Sequence, residues 1–154
     1  MMKPTLYMLV GIPGSGKSTW VMNNAPKDAV VLSTDDYLQA KADEAGTTYD
    51  AVFSSMIQSA TVHMERSKRE AISNSLSVVW DQTNLTRSAR KRKLLGFDNY
   101  HKVAVVFDIP ERDELRKRLA SRPGKNIPDD VIESMISQFQ IPTTKEGFDE
   151  VIYP

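Results

Sequence analysis

The stretch Gly11-Ile12-Pro13-Gly14-Ser15-Gly16-Lys17-Ser18 satisfies the pattern G-x-x-x-x-G-K-[ST], and Thr19 follows it. Each residue type has a physical reason. Glycines let the backbone curl until consecutive N–H groups point inward at phosphate oxygens. A helix starting at the end of the loop adds the positive end of its dipole. Lys17 reaches the β- and γ-phosphates, and the Ser18 hydroxyl is placed to ligate Mg²⁺. The pattern therefore implies a nucleoside triphosphate with magnesium, cradled by Gly11, Pro13, Gly14, Ser15, Gly16, Lys17, Ser18 and Thr19. An ordinary glycine-rich turn has no need of the whole pattern between an apolar run (TLYMLV) and a helical stretch.

Two further groups bear on where a phosphoryl group would go. Asp35 and Asp36 follow a second apolar run, AVVL at 29–32. A carboxylate on that rim can accept the proton of an attacking hydroxyl, an effect of roughly 10²–10⁴-fold in rate. One of the pair also suits the N-cap of a helix from Tyr37 onward, leaving the other for catalysis. Arg118 and Arg122 are four apart, so they share one helix face. They lead into SRPGKNIP, a stretch suited to a hinged lid over about residues 116–130. A lid arginine over the transferring group is worth roughly 10³–10⁵ in rate by analogy with arginine fingers. The neighbouring Arg112, Arg116, Lys117 and Lys125 read mostly as a solvated face. Asp81 and Asp108 each end an apolar run, as a magnesium-orienting acid would. Asp108 reads as structural, and Asp81 stays open as a group behind the metal.

These residues need a scaffold. Thr5–Val10, Ala29–Leu32, Ser77–Trp80 and Lys102–Asp108 read as strands, with a possible edge strand in GFDEVIYP. Lys17–Asn24, Tyr49–Asn74, Thr86–Leu95, Glu111–Ala120 and Pro128–Phe139 read as helices. In the longest, Phe53, Met56, Ile57, Ala60, Met64 and Ala71 recur at helical spacing and read as core-facing. Alternating strands and helices imply a parallel sheet covered on both faces, with ligands at the strand C-termini. The expected fold is α/β, a P-loop NTPase-type parallel sheet with a small helical lid, in one domain over 1–154.

Composition narrows the class. Twenty basic and 20 acidic side chains balance, which argues against nonspecific coating of nucleic acid. There is no cysteine, which excludes disulfides and thiolate metal sites and suits a cytoplasmic setting. No apolar run is long enough for a membrane, and no signal peptide is evident.

GIPGSGKSTW, STDDYLQ, QTNLT, VFDIPERDELRKRLASR and NIPDDVIESM, in this order, resemble the polynucleotide 5′-hydroxyl kinases of the phage type. The resemblance spans nearly the whole chain. It implies transfer of the ATP γ-phosphate to a nucleic-acid 5′-OH end, DNA or RNA, in a host cytoplasm. It implies Asp35 as general base, Lys17 and Ser18 for ATP and magnesium, and Arg122 with Arg118 on the donor phosphates. Gln82, Thr83 and Asn84 would line the acceptor site. Kinase activity without the family's frequent phosphatase domain is expected. Two positions depart from the family pattern. Leu38 replaces an arginine that helps hold the acceptor's phosphate, and Gln82 replaces an acid, with Asp81 one place earlier. Arg87 and Arg90, on the basic stretch RSARKRK, either compensate or form a solvated face. A kinase for another hydroxyl (a hydroxymethylated base, a nucleoside, a small metabolite) is the alternative, and a nucleotide-dependent binding module without transfer ranks lower.

Overall fold

Strand β1 (Thr5–Val10) sends Leu6, Met8 and Val10 into one core and Leu9 into another, all of them fully buried. That two-sided burial is what a central parallel strand requires. The computed structural model describes residues 3–154; Met1 and Met2, at the head of the stretch read for a leader, lie outside the described residues. The sheet is five-stranded and parallel throughout, in the order β2 (Val30–Leu32), β3 (Val78–Trp80), β1, β4 (His101–Val106), β5 (Glu150–Ile152). Register pairs Met8 with Trp80 and Val10 with Val106. The chain steps from β1 to the edge strand β2 and returns through β3. Its direction of travel then reverses across β1 to β4, which opens a crevice at the strand C-termini.

Helix α1 (Lys17–Asn24) covers one face, with Trp20 packed among Leu9, Val79 and Phe107. Helix α3 (Tyr49–Ser73) covers the other, placing Met64 and Ala71 against Leu6, Met8 and Trp80. A third core joins two helices to the loop after β1: Ile12 and Leu85 pack with Leu115 of α5 (Arg112–Ala120) and Ile132 of α6 (Asp129–Gln138). Each fully buried aliphatic side chain contributes roughly 1.5–3 kcal/mol. Among the described residues no helix is long and apolar enough to cross a membrane.

Two expectations about helices change. Helix α2 runs from Thr34 to Glu44, and its cap is Ser33, whose Oγ accepts from Asp36 N at 3.2 Å. Neither aspartate caps; both sit in the first turn, where the helix dipole favours negative charge. Phe53 is 42% exposed and stacks obliquely on Tyr49 instead of entering the core. Met56 and Ile57 are half-buried against Leu38, while Ala60, Met64 and Ala71 are buried. The first turn of α3 is bonded to the turn between α5 and α6: Asp50 N donates to Gly124 O at 2.9 Å.

The basic helix α4 (Arg87–Lys93) divides by face. Arg90 is fully buried and forms a two-pronged pair with Glu146, Nε to Oε1 at 2.8 Å and Nη2 to Oε2 at 3.1 Å. Its Nη1 donates to Asn84 O at 2.9 Å. Arg90 is therefore a buried brace, and it does not stand in for a missing acceptor-binding arginine.

Candidate active site

The crevice at the strand C-termini is an open cleft of about 930 Å³. The loop between β1 and α1 forms its floor, from Pro13 to Thr19. Gly16 caps α1 in a left-handed conformation with no side chain supplying a cap bond, and no acid sits in the first turn. The first N–H groups of α1 are thus left for a ligand. Gly14 has φ +81°, and a Cβ there would lie 2.9 Å from Leu115 Cδ1, so the curl requires glycine. Ser15 Oγ is buried without a hydrogen-bond partner among the described residues. An orphaned hydroxyl in a cradle of inward N–H groups fits an anionic ligand. These features match a nucleoside triphosphate. The donor set also suits magnesium bound together with the nucleotide at the Ser18 hydroxyl; among the described residues no group of three or more His, Cys, Asp or Glu side chains forms a metal cage.

Lys17 Nζ is held inside the loop by Gly11 O at 2.8 Å and Ile12 O at 3.0 Å. Burial pulls its pKa down to about 8, against the opposing pull of Asp81 and Asp35. Opposite stand Asp35, Asp36 and Asp81, all on the cleft wall. Burial pushes the Asp81 carboxyl up to about 6; Lys17 opposes this, and the charges of Asp36 and Asp35 add to it. Burial, then the Asp35 charge, also raises Asp36. Asp35 goes the other way. Burial alone would raise it, but hydrogen bonds from Lys125 and Tyr49 outweigh that and hold it below the usual carboxylate range. One wall therefore carries three carboxylates of unequal basicity, a pattern that separates acid–base roles.

Arg118 and Arg122 reach the same cleft. Arg118 donates Nη1 to Gly14 O at 3.0 Å and Nε to Glu114 Oε1 at 3.2 Å, which ties α5 to the loop. Arg122 is exposed, lines the cleft, and has no ion pair among the described residues. Arg112 and Arg116 pair with Glu133 and Asp113 on the surface. Asp108 is exposed and outside the cleft lining.

The segment after β3 divides. Gln82 and Thr83 line the cleft, and Thr83 O accepts from Gly11 N at 3.0 Å. Asn84 does not line it. It is 2% exposed, has φ 48°, and gives its amide to Leu9 O at 2.7 Å. Arg87 does not come to the cleft either; its side chain is 63% exposed and lies 3.9 Å from Glu146. Four residues to which the sequence assigns no role in the site complete it. Lys93, its pKa drawn down to about 8 by burial and then by Arg92, donates to Gln82 Oε1 at 2.8 Å and Asn84 Oδ1 at 2.6 Å. Trp80 Nε1 also donates to Gln82 Oε1, so the amide Nε2 turns to Thr34 Oγ1 at 3.1 Å. Tyr49 and Lys125 hold Asp35. Their partners are 14 and 90 residues away, beyond the reach of local spacing.

Comparison with known proteins shows the family and the fold. A family model described as an AAA domain, AAA_33, matches residues 6–142. The L-seryl-tRNA(Sec) kinase of Methanococcus maripaludis is 30% identical over 94% of this chain and 56% of its own length. The bifunctional polynucleotide phosphatase/kinase of Schizosaccharomyces pombe is 30% identical over 95% of this chain and 32% of its own. Heterogeneous nuclear ribonucleoprotein U-like protein 2 of Homo sapiens is 28% identical over 96% of this chain and 21% of its own. A chain in the Pnkp1/Rnl/Hen1 RNA repair complex superposes with a TM-score of 0.68 at 30% identity, over 97% of this chain and 47% of that one. The chain thus spans from about a fifth to about half of the curated relatives it matches. With the loop, the sheet order and a match over most of its length, the chain belongs to the AAA_33 family, and its fold is that of a P-loop kinase.

Proposed function

We propose that this chain is an ATP-dependent phosphotransferase acting on an alcohol, and that the alcohol is the 5′-hydroxyl end of a nucleic acid. The observation that carries the reading is a single cleft shared by the phosphate loop, the Asp35 carboxylate and the lid arginines Arg118 and Arg122. A binding module has no use for a general base and an arginine lid around one phosphate cradle. The nucleotide, bound with magnesium, supplies the phosphoryl group and a charge for the chain to neutralise. Asp35 accepts the proton as the acceptor oxygen attacks. Lys17 and the loop N–H groups hold the donor oxygens, and Arg122 with Arg118 stabilises charge on the equatorial oxygens and excludes water. Gln82 and Thr83 face the acceptor. Support for the nucleic-acid acceptor comes from the Schizosaccharomyces pombe relative and the repair-complex neighbour.

A second reading, transfer to another hydroxyl, has one observation in its favour. Leu38, one turn after Asp35, is fully buried with Tyr49 and Ala60, so that turn of α2 offers no cation for an acceptor phosphate. The Methanococcus maripaludis relative points the same way. One assay separates them: γ-labelled ATP offered with a 5′-OH oligonucleotide, a nucleoside 3′-monophosphate, seryl-tRNA and DNA bearing hydroxymethylated bases. Label on the oligonucleotide is the expected result. Label on another acceptor alone replaces the acceptor and keeps the chemistry; ATP binding with no label on any acceptor contradicts the transferase reading.

A further inference from the structure

Asp35 is gripped from two sides. Tyr49, at the first position of α3, donates its hydroxyl to Oδ1 at 2.7 Å. Lys125, on the turn between α5 and α6, donates Nζ to Oδ2 at 2.7 Å. The same ammonium stands 4.5 Å from the centroid of the Tyr49 ring. The Lys125 side chain is 9% exposed and that of Asp35 is 47% exposed. The carboxylate is thus open to the cleft, while the cation that holds it is sheltered. A carboxylate has about four acceptor positions, so two remain for an incoming hydroxyl.

The turn that carries Lys125 is itself fastened to α3. Gly124 O accepts from Asp50 N at 2.9 Å. Asn126 donates N and Nδ2 to Asp50 Oδ2, at 2.9 and 3.3 Å. Gly124 has φ +74°, and a Cβ there would lie 2.6 Å from Thr48 Cβ. Residues 124–126 are therefore an anchor beside Asp35, while Arg122, earlier in the same turn, is exposed and lines the cleft.

We propose that Lys125 is a positioning residue: it clamps Asp35 against Tyr49 and fixes the lid turn, so that the carboxylate meets the acceptor hydroxyl in one orientation. The inference rests on Asp35 being the base. Other charges also face Asp35. Arg122 comes from the lid turn, Asp36 from the same helix, Lys17 from α1, and Asp81 from the end of β3. Among the described residues, Lys125 is the cation that pairs with it. Its removal takes away a group that favours the ionised carboxyl, so Asp35 gains a proton at higher pH and activity on the acid side is lost at higher pH.

The test uses protein labelled with ¹³C at the aspartate carboxyl, the Asp35 signal being assigned by its loss in Asp35→Asn. Titration without nucleotide is paired with kcat and KM profiles against pH, using ATP and a 5′-OH oligonucleotide. In Lys125→Met the Asp35 midpoint and the acid limb of kcat should move up together. Rate at neutral pH should fall by about 10²-fold, the scale of a misplaced reacting group, with KM for ATP unchanged. Lys125→Arg should restore most of both. If Lys125→Met does not fold, Lys125→Gln replaces it in the same titration. An Asp35 midpoint and a kcat profile both unmoved by loss of the lysine overturn the proposal. Full transfer by Asp35→Asn would instead end the reading of Asp35 as the base, while the carbon titration still reports on the clamp.

Discussion

Arg122→Ala should slow phosphoryl transfer by roughly 10³–10⁵-fold, the range for an arginine that stabilises the transferring group, with little change in ATP affinity. The expectation follows from how the two lid arginines are held. Arg118 already spends hydrogen bonds on Gly14 O and Glu114. Arg122 is exposed at the mouth of the cleft with no ion pair among the described residues, and its charge is felt at Asp35, Asp36 and Lys17. It precedes Pro123 and the anchored Gly124, and it lines the same cleft as the loop residues Pro13 to Thr19. In the proposed transfer its bond forms with charge that develops during the reaction, so its loss should fall on kcat rather than on binding. Single-turnover rates with labelled ATP check this. An Arg122→Ala protein of wild-type rate beside a slow Arg118→Ala protein would hand the role to Arg118.

The second large effect is at Asp35. Asp35→Asn should lower kcat by roughly 10²–10⁴-fold, the contribution of a positioned general base, and leave ATP binding nearly intact, because Asp35 is no part of the phosphate loop. The substitution keeps shape and removes basicity. It also leaves the sheltered Lys125 ammonium facing a neutral amide, so a loss of stability accompanies it. Asp36→Asn is the matched control, one residue along the same turn, with no hydrogen bond to Tyr49 or Lys125. The pH dependence has a definite sign. The folded protein holds Asp35 below the ordinary carboxylate range, so it remains ionised as pH falls into that range and is lost only below it. Wild-type kcat/KM should therefore stay flat on the acid side further than an unassisted aspartate allows. Isothermal titration with a nonhydrolysable ATP analogue separates binding from chemistry in both variants.

Much of the scaffold was legible because buried parallel strands read as short unbroken apolar runs. β1 and α1 fall where the sequence predicts them, and β3 and β4 within a residue or two. The phosphate loop is legible for a different reason: its chemistry is local, all within eight residues. Helix α2 was harder. TDDYLQAKADE offers only a thin apolar stripe, Leu38 and Ala42, and its cap is the unassuming Ser33. The acceptor side resisted for a physical reason. Asn84 reads as a site residue until its amide is seen bonded to Leu9, 75 residues away, and Arg90 reads as surface charge until Glu146, 56 residues on, closes over it. Lys125 looks like one more charge in a basic run, and only the return of the lid turn to α3 makes it the partner of Asp35. Local spacing records which groups are present; long-range contacts decide which of them are free to react.

The most direct measurement is a crystal structure of the chain with magnesium, a nonhydrolysable ATP analogue and a 5′-OH oligonucleotide. The acceptor oxygen should lie within about 2.6–3.2 Å of an Asp35 oxygen, the reach of a working base, and in line with the terminal phosphorus, with Arg122 folded over the phosphates. An acceptor seated elsewhere, with Asp35 still turned to Lys125 and Tyr49 and no hydroxyl in reach, would contradict a base-assisted transfer in this cleft.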